Sequence, residues 1–109
     1  MEQITIAKEL RQVGDRLRQG STEIFNMAKL KAETERDYRI ALAKAIMDLK
    51  QKGLPATLIN DLARGEVARY KFDRDLAEAR YQASREALNS LQTQASALQT
   101  IIKYWQEID

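Results

Sequence analysis

Apolar residues recur along most of the chain at alternating spacings of three and four, the pattern of an amphipathic helix. The first stripe consists of Ile6, Leu10, Val13 and Leu17. It predicts a helix over residues 3–18 that stops at Gly20. The second stripe consists of Tyr38, Leu42, Ala45 and Leu49. It predicts a helix over residues 22–52, capped by Ser21 or Thr22 and ended by Gly53 as the residue after the C-cap.

The stretch after Gly53 predicts a short helix and then a long one. Pro55 suits the first turn of a helix, and the apolar group Leu58, Ile59 and Leu62 follows it. We therefore predict a short helix over residues 55–63 that closes the end of a hairpin. Residues 66–107 contain no glycine or proline and predict a long helix.

The strongest periodic pattern lies in the second half of that long helix. It is called the seam here and consists of Leu88, Leu91, Ala95, Leu98, Ile102 and Trp105. Its spacings follow a heptad repeat, which is typical of helix pairing. Residues 87–102 carry no charge at all, so the positions beside the seam are also expected to be shielded from water.

Helix lengths predict what covers the seam. A helix of forty residues is about 60 Å long and one of thirty residues about 45 Å. Antiparallel pairing therefore leaves the last ten to fifteen residues of the long helix, on the order of 20 Å, without cover from residues 22–52. The helix over residues 3–18 or a second chain must bury that end, and we expect a homo-oligomer, most simply a dimer.

These elements predict an all-α fold. The architecture expected is an elongated, coiled-coil-like antiparallel helical hairpin with an additional N-terminal helix, in one domain over residues 1–109. One proline and four glycines are too few for the turns of a β-sandwich or an α/β domain.

Composition removes most catalytic chemistry. The chain has no cysteine and no histidine, which excludes thiolate chemistry, disulfides, the commonest metal ligand and the commonest general base. The carboxylates Asp73, Asp75 and Glu78 alternate with basic residues, which favours an ion-paired helix face over a Mg²⁺ site. The glycines are isolated and form no phosphate loop. We predict no enzyme activity, no cofactor and no metal.

The charge balance gives no strong electrostatic signal for binding to nucleic acid or to a membrane. The net charge is +2, with +3 over residues 1–53 and −1 over residues 54–109. The sequence has no apolar run of about 18 residues, the length of a membrane span, and its first residues do not resemble a signal peptide. We therefore expect no membrane partner and a cytoplasmic location, with which the lack of cysteine agrees.

Two sets of residues are candidates for binding. The candidate nucleic-acid contacts are Lys29, Lys31, Arg36 and Arg39. Acidic residues are interleaved with them, so a solvated, ion-paired face is the other interpretation. The candidate oligomer or partner interface is Leu88, Leu91, Leu98, Ile102 and Trp105, with Trp105 as its aromatic anchor.

The stretch from Ala41 to Trp105 resembles a group of small helical-hairpin proteins from the early regions of bacteriophages and prophages of Gram-positive bacteria. The resemblance lies in the segments LKQKG at 49–53, LPATLINDLARG at 54–65, FDRDLAEA at 72–79 and LQTII at 98–102. It implies a place beside recombination, replication and counter-defence functions in a bacterial host cell. No site residue follows from it.

Three functions are compatible with this sequence. The leading hypothesis is a non-enzymatic, phage-type interaction protein that binds and modulates or inhibits a host or phage protein of DNA metabolism or defence. The second is a nucleic-acid-binding accessory factor in phage recombination or replication. The third is a structural coiled-coil component of a particle.

Overall fold

The computed structural model describes residues 2–108, and every regular element among them is a helix. Helix α1 spans Glu2–Gln51, α2 spans Ala56–Glu66 and α3 spans Ala68–Ile108. The prediction of an all-α fold is confirmed.

Helix α1 runs without a break through Gly20, so the predicted stop at Gly20 and the separate N-terminal helix are wrong. Ser21 does not cap a helix start, because its hydroxyl donates to the backbone carbonyl of Leu17, one turn earlier in the same helix, at 2.9 Å. A glycine inside a helix costs only about 1 kcal/mol. Packing of α1 against α3 offsets a cost of that size.

Helices α2 and α3 both begin and end slightly later in the chain than predicted. Pro55 is the N-cap of α2 rather than its first residue, with an extended backbone at φ −60° and ψ 141°. Gly65 lies inside α2, and only Val67 separates α2 from α3. The Val67 N–H donates to the carbonyl of Ala63, and its own carbonyl accepts from Lys71 N–H, both at 3.1 Å. The backbone hydrogen bonding therefore continues through the junction.

The chain divides into two compact units. The terminal unit comprises the residues up to Asn26 together with those from Gln82 onward, and the central unit comprises Met27–Tyr81. The sequence-based expectation of one domain stays a prediction.

The central unit contains the principal core. Its buried residues come from α1, α2 and the junction before α3: Ala45, Leu49, Ile59, Ala63 and Val67. Ala77 is buried separately on α3. Tyr38 and Leu42 pack against this cluster, so the predicted stripe of α1 does face the core. The exposed faces of α2 carry Leu58 and Leu62, whereas Ile59 and Ala63 point inward.

The terminal unit has a thinner interface. Val13 is buried at 6% exposure, and the other residues of the first predicted stripe, Ile6, Leu10 and Leu17, are half-buried. All six seam residues are half-buried, and the positions between them are exposed. The predicted period of the seam is therefore confirmed in its burial.

Residues of α1 cover the seam within the terminal unit. Gly20 lies against Leu88, Gln12 and Val13 line a groove with Leu98, and Gln3 and Ala7 line another with Ile102 and Trp105. Positions in α1 decrease as those in α3 increase. The N-terminal residues of the same chain therefore cover the seam, which is one of the two possibilities predicted from the helix lengths.

Gly53 ends α1 in the way the sequence predicts. Its φ is +75°, the left-handed region that a residue without a Cβ enters at no cost. The Gly53 N–H donates to the Lys50 carbonyl at 3.0 Å, and the Leu54 N–H donates to the Leu49 carbonyl at 3.5 Å. These are the two bonds of a Schellman motif. Leu54 then packs on the core that contains Leu49.

Gly53→Val is expected to lower the free energy of unfolding by about 1–3 kcal/mol, because a β-branched residue is strained at positive φ. Gly14→Ala is the matched control, since Gly14 is helical and a Cβ there meets nothing within 4 Å. That change should raise the free energy of unfolding by about 0.5–1 kcal/mol. Chemical denaturation followed by circular dichroism measures both. Equal losses in the two variants would contradict these helix bounds.

Candidate functional site

The predicted interface residues face the neighbouring helix of their own unit. Leu88, Leu91, Leu98, Ile102 and Trp105 are all half-buried, and α1 residues line the grooves beside Leu88, Leu98 and Trp105. Their partly exposed surface is what remains for a second chain. Their role as an oligomer or partner interface stays a prediction.

The four basic residues considered for nucleic-acid contact all have local partners. Lys29 lies 3.9 Å from Glu33, Arg36 lies 3.1 Å from Asp37, and Arg39 lies 2.8 Å from Glu35. The ammonium group of Lys31 lies 5.1 Å from the centre of the Tyr81 ring. Neighbouring carboxylates therefore offset three of the four positive charges, which weakens the local field available to a phosphate backbone.

Arg74 links α3 to α1 inside the central unit. Its Nε lies 3.6 Å from a Glu35 carboxylate oxygen, and its guanidinium lies 4.3 Å from the centre of the Tyr38 ring. It also donates to Asp75 at 3.0 Å. This hydrogen bond, with the charges of Asp75 and Glu35, raises the pKa of the Arg74 guanidinium above its ordinary value although desolvation opposes the rise. Arg74, whose guanidinium is charged at any physiological pH, therefore connects α3 to α1 at this point.

The ion-paired face predicted around Asp75 is present in part. Arg74 and Asp75 pair as neighbours, whereas the contacts of Arg74 with Glu35 and Tyr38 were not predicted. No local spacing in the sequence signals them, because they depend on how α1 and α3 align. Within residues 2–108, no three metal-binding side chains come together in a group that could hold an ion. In the same range no helix combines the length and the apolar character needed to cross a membrane.

A groove in the central unit brings Ala45 of the second stripe together with Ile40 and Tyr70, which belong to no stripe. It is called the central groove here, has a volume of about 600 Å³, and is lined by Asp37, Ile40, Ala41, Lys44, Ala45, Asp48, Glu66, Val67 and Tyr70. Ile40 is 62% exposed and Tyr70 is 45% exposed. Ala41, Ala45 and Val67 form its floor, and the charged residues form its rim.

Other large apolar side chains are exposed on α3. In the terminal unit these are Ile101, Tyr104 and Ile108, which share one helix face by their spacing of three and four. In the central unit they are Phe72 and Leu76, four residues apart. These residues lie off the seam, so the heptad pattern alone did not identify them.

Comparison with known proteins finds no family model, no curated protein and no solved structure that matches this chain. A function therefore has to be inferred from the residues of the chain itself.

Proposed function

We propose that this chain is a non-enzymatic helical protein that acts by binding other proteins. The observation that carries the proposal is its apolar surface. Twelve large hydrophobic side chains among the described residues are exposed, whereas seven hydrophobic residues are buried. Three of the twelve, Ile40, Tyr70 and Phe72, line grooves in the central unit. Exposed apolar side chains that lie together are typical of interaction sites, whereas single scattered ones are not.

The finer architecture belongs to the same proposal. We infer an antiparallel helical hairpin with coiled-coil-like packing, supported by the opposed numbering of the α1 and α3 contacts in the terminal unit. A homodimer is the simplest assembly that uses the uncharged positions beside the seam. The hairpin covers apolar side chains within one chain, and the dimer would cover apolar side chains that remain exposed.

The class of partner follows from the resemblance to phage proteins. We propose a host or phage protein of DNA metabolism or defence, bound in the cytoplasm of a bacterial cell and modulated or inhibited by the binding. Direct contact with nucleic acid is an outcome of the test below rather than a second proposal, because Lys29, Arg36 and Arg39 have carboxylate partners.

Capture from a nuclease-treated bacterial lysate tests the proposal. The baits are the wild-type chain and a variant with four exposed side chains replaced: Ile40→Ser, Tyr70→Ser, Phe72→Ser and Tyr104→Ser. We expect the wild type to retain specific proteins and the variant to lose them, with circular dichroism showing that both fold. Identical sets of captured proteins contradict the proposal. So does binding to DNA alone, recognised by an affinity that falls steeply as salt rises.

A further inference from the structure

We propose that the central groove binds one amphipathic helix of a partner protein, and that this helix carries lysine or arginine beside its apolar face. This inference rests on the proposed function and names the kind of partner that one surface takes. Its basis is the combination of an apolar floor, exposed apolar walls and an acidic rim in one place.

The dimensions of the groove fit a helix. Its lining on α1 runs from Asp37 to Asp48, which is eleven helical steps of about 1.5 Å and therefore about 16 Å along the axis. Three turns of a bound helix have the same length.

The floor allows close approach of another backbone. Ala41 and Ala45 lie four residues apart on α1, so their small side chains stack along one face. Val67, at the junction of α2 and α3, completes the floor and is itself part of the core. A floor built on core residues is held in place before a ligand arrives, which lowers the entropic cost of binding.

The walls supply apolar contact. Ile40 on α1 and Tyr70 on α3 both line the groove and keep much of their surface in water. Met47 lies seven residues after Ile40, on the same face of α1, and is 60% exposed. A helix with apolar residues at spacings of three and four can contact such a row through one face.

The rim selects the charge of the partner. Three carboxylates, Asp37, Asp48 and Glu66, face one cation, Lys44. Asp37 pairs with Arg36, but within residues 2–108 neither Asp48 nor Glu66 makes a salt bridge. Basic side chains that flank the apolar face of a ligand helix can therefore reach two unneutralised carboxylates. The same carboxylates repel a phosphate backbone, so the groove disfavours nucleic acid.

Two synthetic peptides of equal length test the proposal directly. Both carry leucine at the same helical spacing, and they differ only in their flanking residues, which are lysine in one and glutamate in the other. Fluorescence anisotropy with labelled peptide at low concentration should show that the lysine peptide binds at least about ten-fold more tightly, a difference of about 1.4 kcal/mol. Circular dichroism should show that the peptide becomes helical when it binds.

Variants of the full chain locate the site. The double variant Asp48→Lys with Glu66→Lys should bind the lysine peptide about five-fold or more weakly, because like charges then meet. The difference in affinity between the lysine and glutamate peptides should also become smaller. Ile40→Ser with Tyr70→Ser should weaken binding of the lysine peptide by about ten-fold through lost apolar contact. Phe72→Ser with Tyr104→Ser is the matched control, since both residues are exposed outside the groove, and should change nothing.

Several outcomes overturn the inference. The inference is wrong if the two peptides bind equally well, or if the groove variants bind the lysine peptide as tightly as the wild type does. It is also wrong if the bound peptide is not helical. A wild-type mass that rises with concentration and falls to monomer in the groove variants would show that a second copy occupies the groove. If only the Phe72→Ser and Tyr104→Ser variant loses its lysate partners, the proposed function stands and this inference is wrong.

Discussion

Leu49→Ala is expected to lower the free energy of unfolding by about 3 kcal/mol. Leu49 is 4% exposed and lies in the buried cluster formed by α1, α2 and the junction before α3. Removing most of its side chain leaves a cavity beside Ile59 and Ala63, and so small a core has few neighbours that can move in to fill it. The backbone carbonyl of residue 49, which accepts from Leu54 N–H in the Schellman motif, is kept in the alanine variant, so the loss comes from the side chain.

Met47→Ala is the matched control for that change. Met47 lies on the same helix two residues earlier and is mostly exposed, so its truncation should alter the free energy of unfolding by no more than about 0.5 kcal/mol. Urea denaturation followed by far-ultraviolet circular dichroism compares the two variants. Equal losses would show that α1 does not present Leu49 to the core.

The faces of the helices were predictable because hydrophobic periodicity records which side of a helix is covered. The predicted stripe of Tyr38, Leu42, Ala45 and Leu49 meets the central core, where Ala41 and Ile46 join it. The six seam residues are half-buried positions near the end of α3. Gly53 was predictable because its position after the last apolar residue is that of a C′ glycine in the left-handed region.

Gly20 shows where the same approach failed. Local propensity treats a glycine before Ser21 and Thr22 as a helix end, yet α1 continues through it. A Cβ at Gly20 would lie 2.5 Å from a terminal methyl of Leu88, so the glycine lets that leucine approach α1 closely. One signal was present in the sequence, since Gly20 falls three residues after Leu17 and four before Ile24, in step with the first stripe. Periodicity outweighs a single glycine when the helix has a packing partner.

The central groove could not have been predicted from spacing. Ile40 and Tyr70 are thirty residues apart, and they line one groove because α2 turns the chain and brings α3 beside α1, where Arg74 contacts Glu35 and Tyr38. Neither residue belongs to a stripe, and the carboxylates at Asp48 and Glu66 resemble ordinary solvated charges until the helices are placed. A surface made by tertiary register leaves no local pattern in either helix.

Leu98→Glu should lower the free energy of unfolding by about 2 kcal/mol, through lost apolar burial and the cost of a charge in the seam. Leu98 is half-buried and lines a groove with Gln12, Val13 and Glu9. A glutamate there meets the charge of Glu9, although Arg16 on the same groove offsets part of the repulsion. The partial exposure of the site keeps the loss below that of a fully buried charge.

Lys29→Glu is the control, and light scattering beside thermal unfolding separates the outcomes. Lys29 is exposed and pairs only weakly with Glu33, so its reversal should cost about 0.5 kcal/mol. For Leu98→Glu we expect a lower melting temperature, because residues 2–26 then pack less well against the seam. If the wild type is a dimer that uses the positions beside the seam, the mass should fall to that of a monomer as well. Should melting temperature and mass both stay at the wild-type values, Leu98 does not pack on α1, and the seam is free to bind another chain.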